Sequence, residues 1–430
     1  MNPMLKLRGD VVVRSQKAYI AQAAFEYFVA ILVSDAFLAK LLTYMGFSDS
    51  LIGIISSLIS FSFLFQLFTI AMIPRIKNTK RTVVIFDTVS QLFFAGIYVV
   101  PSLRCGIHIK AAIVIGCLLA AYFLKYLIST VFFKWANSFV EPEKRGAYSA
   151  KKEMVSLVSG IVFTLLVGYA IDSFERNGMI VIGFAAIAVT ITALNVCNLA
   201  SLLLISGEKR ERNAENQIHF KEIWKNTIRN RSFMNVVLMS SLWSVAYYMT
   251  IGFMGTFKTS ELMLSVGAVQ VINIGANLCK LAISMPFGRY SDKTSYAKGF
   301  RMALVILAAS YLFNMFATPA SRWCVVVFSV LQAVSQAGSN QNKLNICYNY
   351  VQSDYLVYAM TIQNSISGIA GFAASLIGSG ILAAVQRNNN QICGIPVYGQ
   401  QVLSAISLGI VLITIAFTRE VVEKQERVIQ

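Results

Sequence analysis

Four ionisable side chains stand out in long apolar stretches of this 430-residue chain: Glu26, Asp35, Lys125 and Lys280. A charge in apolar surroundings is costly, so proton binding and ion pairing are the chemistry to look for first. Glu26 lies nine residues after Lys17, and Lys125 lies nine before Lys134. At about 1.5 Å per helical residue, both sit about 13 to 14 Å from the inner, cytoplasmic ends of their helices. Equal depth permits a pair, either a working charge pair or a purely structural one that satisfies two buried charges. Glu26 and Asp35 fall on opposite faces of a straight helix at about 100° per residue, so they share a cavity only if the helix kinks. Tyr19, Gln22 and Glu26 form one polar stripe, which favours Glu26 and leaves Asp35 near the outer mouth or against a neighbouring helix.

Amides form the second pattern. Asn273, Asn277, Lys280 and Ser284 recur at helical spacing, as do Gln332, Gln336 and Asn340, while Gln363 and Asn364 add two more. Each amide both donates and accepts, which suits a hydroxyl-rich ligand or, equally, hydrogen bonding between helices. Trp243, Tyr247 and Tyr248 offer rings for stacking on a ligand or for plain packing. No catalytic set accompanies them. The two histidines, His108 and His219, lie far apart in the chain, with no metal-ligand cluster, no Ser-His-Asp arrangement and no phosphate-cradling glycine loop. The expectation is therefore no enzyme, no cofactor and no metal, and the missing nucleotide domain excludes an ATP-driven pump.

The elements that must position these residues follow from composition. With 56% hydrophobic residues, 13% charged and a mean hydropathy of +0.63, the chain reads as an all-α polytopic membrane protein. A span needs about 20 apolar residues. Twelve are expected: 17–42, 49–73, 82–101, 108–133, 152–172, 178–205, 233–257, 261–287, 299–318, 322–342, 357–385 and 398–418. The +17 charge gathers in the termini and the loops on one side, which places that side in the cytoplasm and argues against nucleic acid as a partner. Lys6, Arg8, Arg14 and Lys17 precede an apolar run too long for a signal peptide, which reads as a retained first span. The base-rich insert Gly207 to Arg231 divides the spans six and six, giving an N-terminal bundle (1–206), a linker (207–232) with a short amphipathic helix around His219 to Ile228, and a C-terminal bundle (233–430). The seven cysteines include no CxxC pair; Cys105, Cys324 and Cys393 fall near outer span ends and leave one disulfide open.

The stretch Pro286-Phe287-Gly288-Arg289-Tyr290-Ser291-Asp292-Lys293 resembles the loop signature of the major facilitator superfamily, Gly-x-x-x-Asp-Arg/Lys-x-Gly-Arg-Arg/Lys. Gly288, Asp292 and Lys293 match; Ser295, Tyr296 and Ala297 depart, and Lys298 comes late. The equivalent stretch after the second span, Pro74 to Arg81, keeps the bases without the Gly and Asp. Glu141-Pro142-Glu143-Lys144-Arg145-Gly146-Ala147-Tyr148 with Lys151-Lys152 is a second resemblance, and Gly46 to Gly53 a third. Internal repetition is faint: Ser48-Asp49-Ser50 opens the second span and Thr259-Ser260-Glu261 the eighth, both as capping signals.

The resemblance implies twelve transmembrane helices in two pseudo-symmetric six-helix bundles, with alternating access around a midplane site. The first, fourth, seventh and tenth spans of that family line the cavity. This assigns Gln22, Glu26, Lys125, Trp243, Tyr247, Gln332, Gln336 and Asn340 to the substrate cavity, and Asn273, Asn277 and Lys280 to an interdomain stripe. Gly288 would end a helix and admit its neighbour, and Asp292 would latch a base in one state, with Lys293, Arg145 and Gly146 completing the gate. The implied function is secondary transport of a small polar, sugar-like solute across the plasma membrane by a monomer whose termini are both cytoplasmic. Protons couple through Glu26, with Asp35 as the second acid. Two acids against two bases suit a neutral or zwitterionic solute. Rival readings are a proton-coupled multidrug efflux antiporter and, further off, a membrane enzyme or transporter-derived sensor.

Overall fold

In the computed structural model, which describes residues 3–72, 76, 78–140, 145–207, 227–351, 355–392 and 394–427, every long apolar run becomes helix. A lipid environment leaves no other choice, because each backbone N–H and C=O must find its partner within the segment. Nine helices among the described residues are long and apolar enough to cross a membrane. The first (Pro3–Leu32), third (Thr79–Ile97) and tenth (Trp323–Tyr350) are not among the nine. They carry the polar residues Gln22 and Glu26, Asp87 and Gln91, and Gln332 and Gln336.

The sixth span, Ile180–Leu204, shows the inversion a bilayer requires. Ile182, Val189 and Val196, each seven residues apart, are exposed, while Asn195 and Asn198 are buried. Water would penalise that apolar stripe; lipid does not.

The chain forms two compact units. One holds the first six spans without Ser48–Leu64; the other holds Ser48–Leu64 and the last six spans. In the first unit the first helix packs against the fifth (Arg145–Arg176) and sixth, and the third against the fourth (Ile107–Asn137) and sixth. Val83, Ile128, Trp135 and Leu202 fill the core, and Lys80 Nζ donates to Leu203 O and Ile205 O at 2.7 and 2.6 Å, closing the sixth helix's carbonyl end.

In the second unit the seventh span (Arg231–Ile251) packs on the eleventh (Leu356–Arg387) and twelfth (Gly399–Phe417), and the helices Asp49–Ser56 and Leu58–Ser62 pack on the eleventh. Glycine lets Asp49–Ser56 approach the end of the seventh span as well. A Cβ on Gly252 would lie 2.7 Å from Gly53 O, and one on Gly53 would strike the Phe253 ring at 1.8 Å. Ser60 Oγ donates to Gly368 O (2.8 Å) and Gln386 Nε2 to Asp49 Oδ2 (2.8 Å). A two-residue antiparallel hairpin, Gln391–Ile392 with Ile395–Pro396, joins the eleventh and twelfth helices.

Four expectations need correction. The first span is broken: helix stops at Leu32 and restarts at Asp35, whose φ is 44°, and the Tyr98 hydroxyl donates to the Leu32 carbonyl released by the break. The second span is also segmented, through a 3-10 turn at Phe63–Phe65. Gly288 does not end the eighth helix, which runs from Val266 through Pro286 to Lys293. A helix-stopping glycine needs a left-handed φ, and Gly288 has none; a Cβ there would only touch Gln341 at 3.5 Å. The turn falls at Thr294 and Ser295, whose hydroxyl caps the ninth helix (Tyr296–Asn314). Thr259-Ser260-Glu261 belongs to the end of the seventh span as a π-turn, and Ser265 caps the eighth. Ser48 does cap the second span, accepting from Leu51 N. The linker helix expected around His219 to Ile228 falls outside the described residues up to residue 226, with Thr227 and Ile228 in a turn, and Cys393, Pro74-Arg75 and Glu141 to Lys144 lie outside them as well. Cys105 and Cys324 are free thiols.

Candidate functional site

In the first unit, depth and helical spacing bring the first, third and fourth spans to one cavity of about 140 Å³, lined in part by Tyr19, Glu26, Asp87, Lys125 and Phe132. Lys125 Nζ lies 2.7 Å from Glu26 Oε1. Gln22 Nε2, one helical turn before Glu26, donates to Oε2 at 2.9 Å, so both carboxylate oxygens are engaged. Tyr19 extends the stripe: its hydroxyl accepts from Lys152 Nζ at 2.9 Å, with the ammonium 4.4 Å from its ring centroid.

Asp87 was not singled out from the sequence. It is 6% exposed, and its Oδ2 accepts from Gln91 Nε2 (3.3 Å) and from Asn198 Nδ2 on the sixth span. The signal was present, because Asp87 lies inside the expected third span seven residues from Lys80, close to the depth used to pair Glu26 with Lys125. The balance of two acids against two bases is therefore incomplete. Asp35 stands at the break of the first span, half-buried, nine residues along from Glu26.

The second unit presents a neutral wall with one cation. Trp243 stacks on Tyr247 with ring centroids 5.1 Å apart, and Tyr248 meets Tyr247 edge-on. Gln336 Nε2 donates to the Tyr247 hydroxyl at 2.7 Å, fixing the tenth helix to the seventh. Lys343, also missed, sits with Nζ 3.4 Å from the Trp243 ring centroid. It falls one residue past the expected tenth span, and the observed helix continues through it to Tyr350. Gln332 is buried with its Nε2 lacking a hydrogen-bond partner, whereas Asn340 is exposed. Gln363 donates to Ser240 Oγ at 2.6 Å, a contact between the eleventh and seventh helices.

On the eighth helix Asn273 accepts from the buried Lys258 at 3.4 Å and donates to Gln270; Asn277 and Lys280 are half-buried on the same side. Asp292 and Lys293 are exposed at its end, and the Tyr296 hydroxyl is hydrogen-bonded to Asp292. Nearby, Glu426 accepts from Ala297 N (2.9 Å) and Glu423 pairs with Arg301 (2.6 Å), tying the C-terminal segment to the ninth helix. Arg145 and Gly146 open the fifth helix; their side chains lie outside the described residues. Among the described residues no group of histidines, cysteines and carboxylates is arranged to hold a metal.

Comparison with known proteins agrees with this architecture. The fold is similar to that of the nucleoside transporter NupG (TM-score 0.66, 11% identity, covering 95% of this chain and 98% of that one). It is similar also to a D-xylose-proton symporter (0.65, 12%, 94% and 96%) and to a bacterial homologue of the human lysosomal transporter Spinster (0.63, 13%, 96% and 96%). At such identities the likeness establishes the fold alone. No curated protein matches the sequence. The model of one family, described as Major Facilitator Superfamily, matches residues 18–375. That match spans most of the chain and fits its twelve-helix plan: the chain belongs to the Major Facilitator Superfamily and is a multi-pass membrane transporter rather than an enzyme.

Proposed function

We propose that the chain is a proton-coupled secondary transporter of a small, hydroxyl-rich polar solute of sugar-like kind, working by alternating access. The observation that carries this reading is the pairing of Trp243, Tyr247 and Gln336: stacked rings with an amide held against a hydroxyl give a ring-bearing polar solute both a face and hydrogen bonds. The names of two structural neighbours, a nucleoside transporter and a D-xylose-proton symporter, point to solutes of that character. Coupling is assigned to the charged cluster of Glu26 and Lys125, and the working protein to a monomer in the plasma membrane with cytoplasmic termini. Nucleic acid is no partner. Asp292 acts as a latch in the cycle. Asp292→Asn then slows turnover in proteoliposomes while leaving solute affinity unchanged, and unchanged turnover would reduce the loop to a connector.

Ligand binding stabilises a native state by mass action, so a thermal-shift screen of the purified protein reads the solute class directly. Pentoses, hexoses or nucleosides should raise the melting temperature. A rise with lipophilic cations alone would instead make the protein a multidrug efflux antiporter.

A further inference from the structure

The cavity of the first unit holds two carboxylates and one partner cation, and the arrangement distinguishes them. Glu26 on the first span is held by Lys125 through one oxygen and by Gln22 through the other. A proton on Glu26 would strand the ammonium, a heavy penalty in a site of low dielectric. Asp87 on the third span faces that pair across the cavity, and among the described residues its hydrogen bonds come from neutral amides, Gln91 on the same helix and Asn198 on the sixth.

Those amides can serve either protonation state. With Asp87 ionised, both NH₂ groups donate to it. Their carbonyl oxygens, Gln91 Oε1 and Asn198 Oδ1, are then buried without a partner, in residues only 3% and 0% exposed. Buried acceptors left unmade are costly. Turning an amide by 180° exchanges its oxygen and nitrogen at almost no steric change, so a protonated Asp87 can donate its O–H to an oxygen that otherwise has none. The charge count points the same way. Among the described groups that act on Asp87 from the first, fourth and sixth spans, Lys125 is the cation and Glu26 the second anion, so that pairing neutralises one of the two acids.

We propose that Asp87 is the carboxyl group that takes up and releases the proton, while Glu26 stays ionised in its pair with Lys125. The proton arrives from water through the cavity, binds a carboxylate oxygen of Asp87 and returns to water; no bond other than O–H changes. The use of this proton in transport rests on the coupling proposed above. The binding of the proton does not.

Two experiments separate these claims. An apolar carbodiimide, which modifies protonated carboxyls in apolar surroundings, is applied to the purified wild-type protein from mildly alkaline to mildly acidic pH, and labelled peptides are identified by mass spectrometry. Labelling should rise at Asp87 as pH falls and stay low at Glu26. Labelling at Glu26 instead, or none at Asp87, overturns the assignment. In proteoliposomes, Asp87→Asn, which keeps the size and polarity of the protonated acid, should retain solute exchange and lose pH-gradient-driven accumulation. Accumulation that survives this substitution overturns Asp87 as the coupling acid. A wild-type protein that never accumulates solute, with Asp87 still labelled, defeats the coupling reading alone.

Discussion

The two units solve the problem of polar groups in a membrane protein differently. The first concentrates charge: Glu26, Lys125 and Asp87 share one cavity, with Lys152 on Tyr19 at its edge. The second keeps its Arg301–Glu423 ion pair at the C-terminal segment and surrounds Trp243 and Tyr247 with largely neutral contacts: an amide bonded to a hydroxyl, stacked rings and one lysine over the indole face. Charge in low dielectric interacts strongly and responds to protons; amides and rings keep their character across the working pH range. The function proposed above therefore assigns coupling to the first unit and solute recognition to the second, and each substitution below is chosen to strain that division.

The largest effect is expected at Lys125. Lys125→Ala leaves a carboxylate without its cation and should cost about 3–5 kcal/mol of stability, read by thermal unfolding in detergent. Combining it with Glu26→Gln should recover most of that loss; strictly additive losses would mean that the two side chains do not interact. Next comes the glycine seam of the second unit. Gly252→Ala forces a methyl group to within 2.7 Å of Gly53 O and should cost about 1–3 kcal/mol. Gly409→Ala, with open space around it, should be neutral or slightly stabilising. Equal behaviour of the two would deny the close approach. The smallest effect is expected from Tyr247→Phe, which removes the hydroxyl that accepts from Gln336 and should weaken solute binding by about 1 kcal/mol, equally at acid and neutral pH. A loss that changes with pH would move a titrating group into the second unit's wall.

Much of the charged cluster was legible before the fold. Glu26 and Lys125 could be matched because a helix converts residue number into depth, and both helices run regularly through that depth. Asp87, seven residues from Lys80, obeys the same arithmetic. The break at Val33 and Ser34 was harder. Ser34-Asp35 is a capping pair inside an apolar run, and what makes the break tolerable is a tyrosine 66 residues away that takes up the freed carbonyl. At Gly288 residue type suggests a helix end, yet nothing in the sequence fixes its φ and the helix runs on to Lys293. Lys343 was lost to a boundary set one residue short, because apolar content marks where a span must be and says little about how far the helix continues beyond it.

Coupling through the first unit's charged wall is tested most directly in proteoliposomes holding the solute identified by the thermal screen, with and without an imposed pH gradient. Wild-type protein should accumulate solute above equilibrium only with the gradient. Glu26→Gln removes the anion that holds Lys125 and leaves Asp87 as the acid nearest that ammonium, which favours its ionised form; the variant should still exchange solute across the membrane yet show no gradient-driven accumulation. Accumulation above equilibrium that persists in Glu26→Gln at the wild-type level would contradict the account, because coupling would then not depend on the pair that Glu26 forms with Lys125.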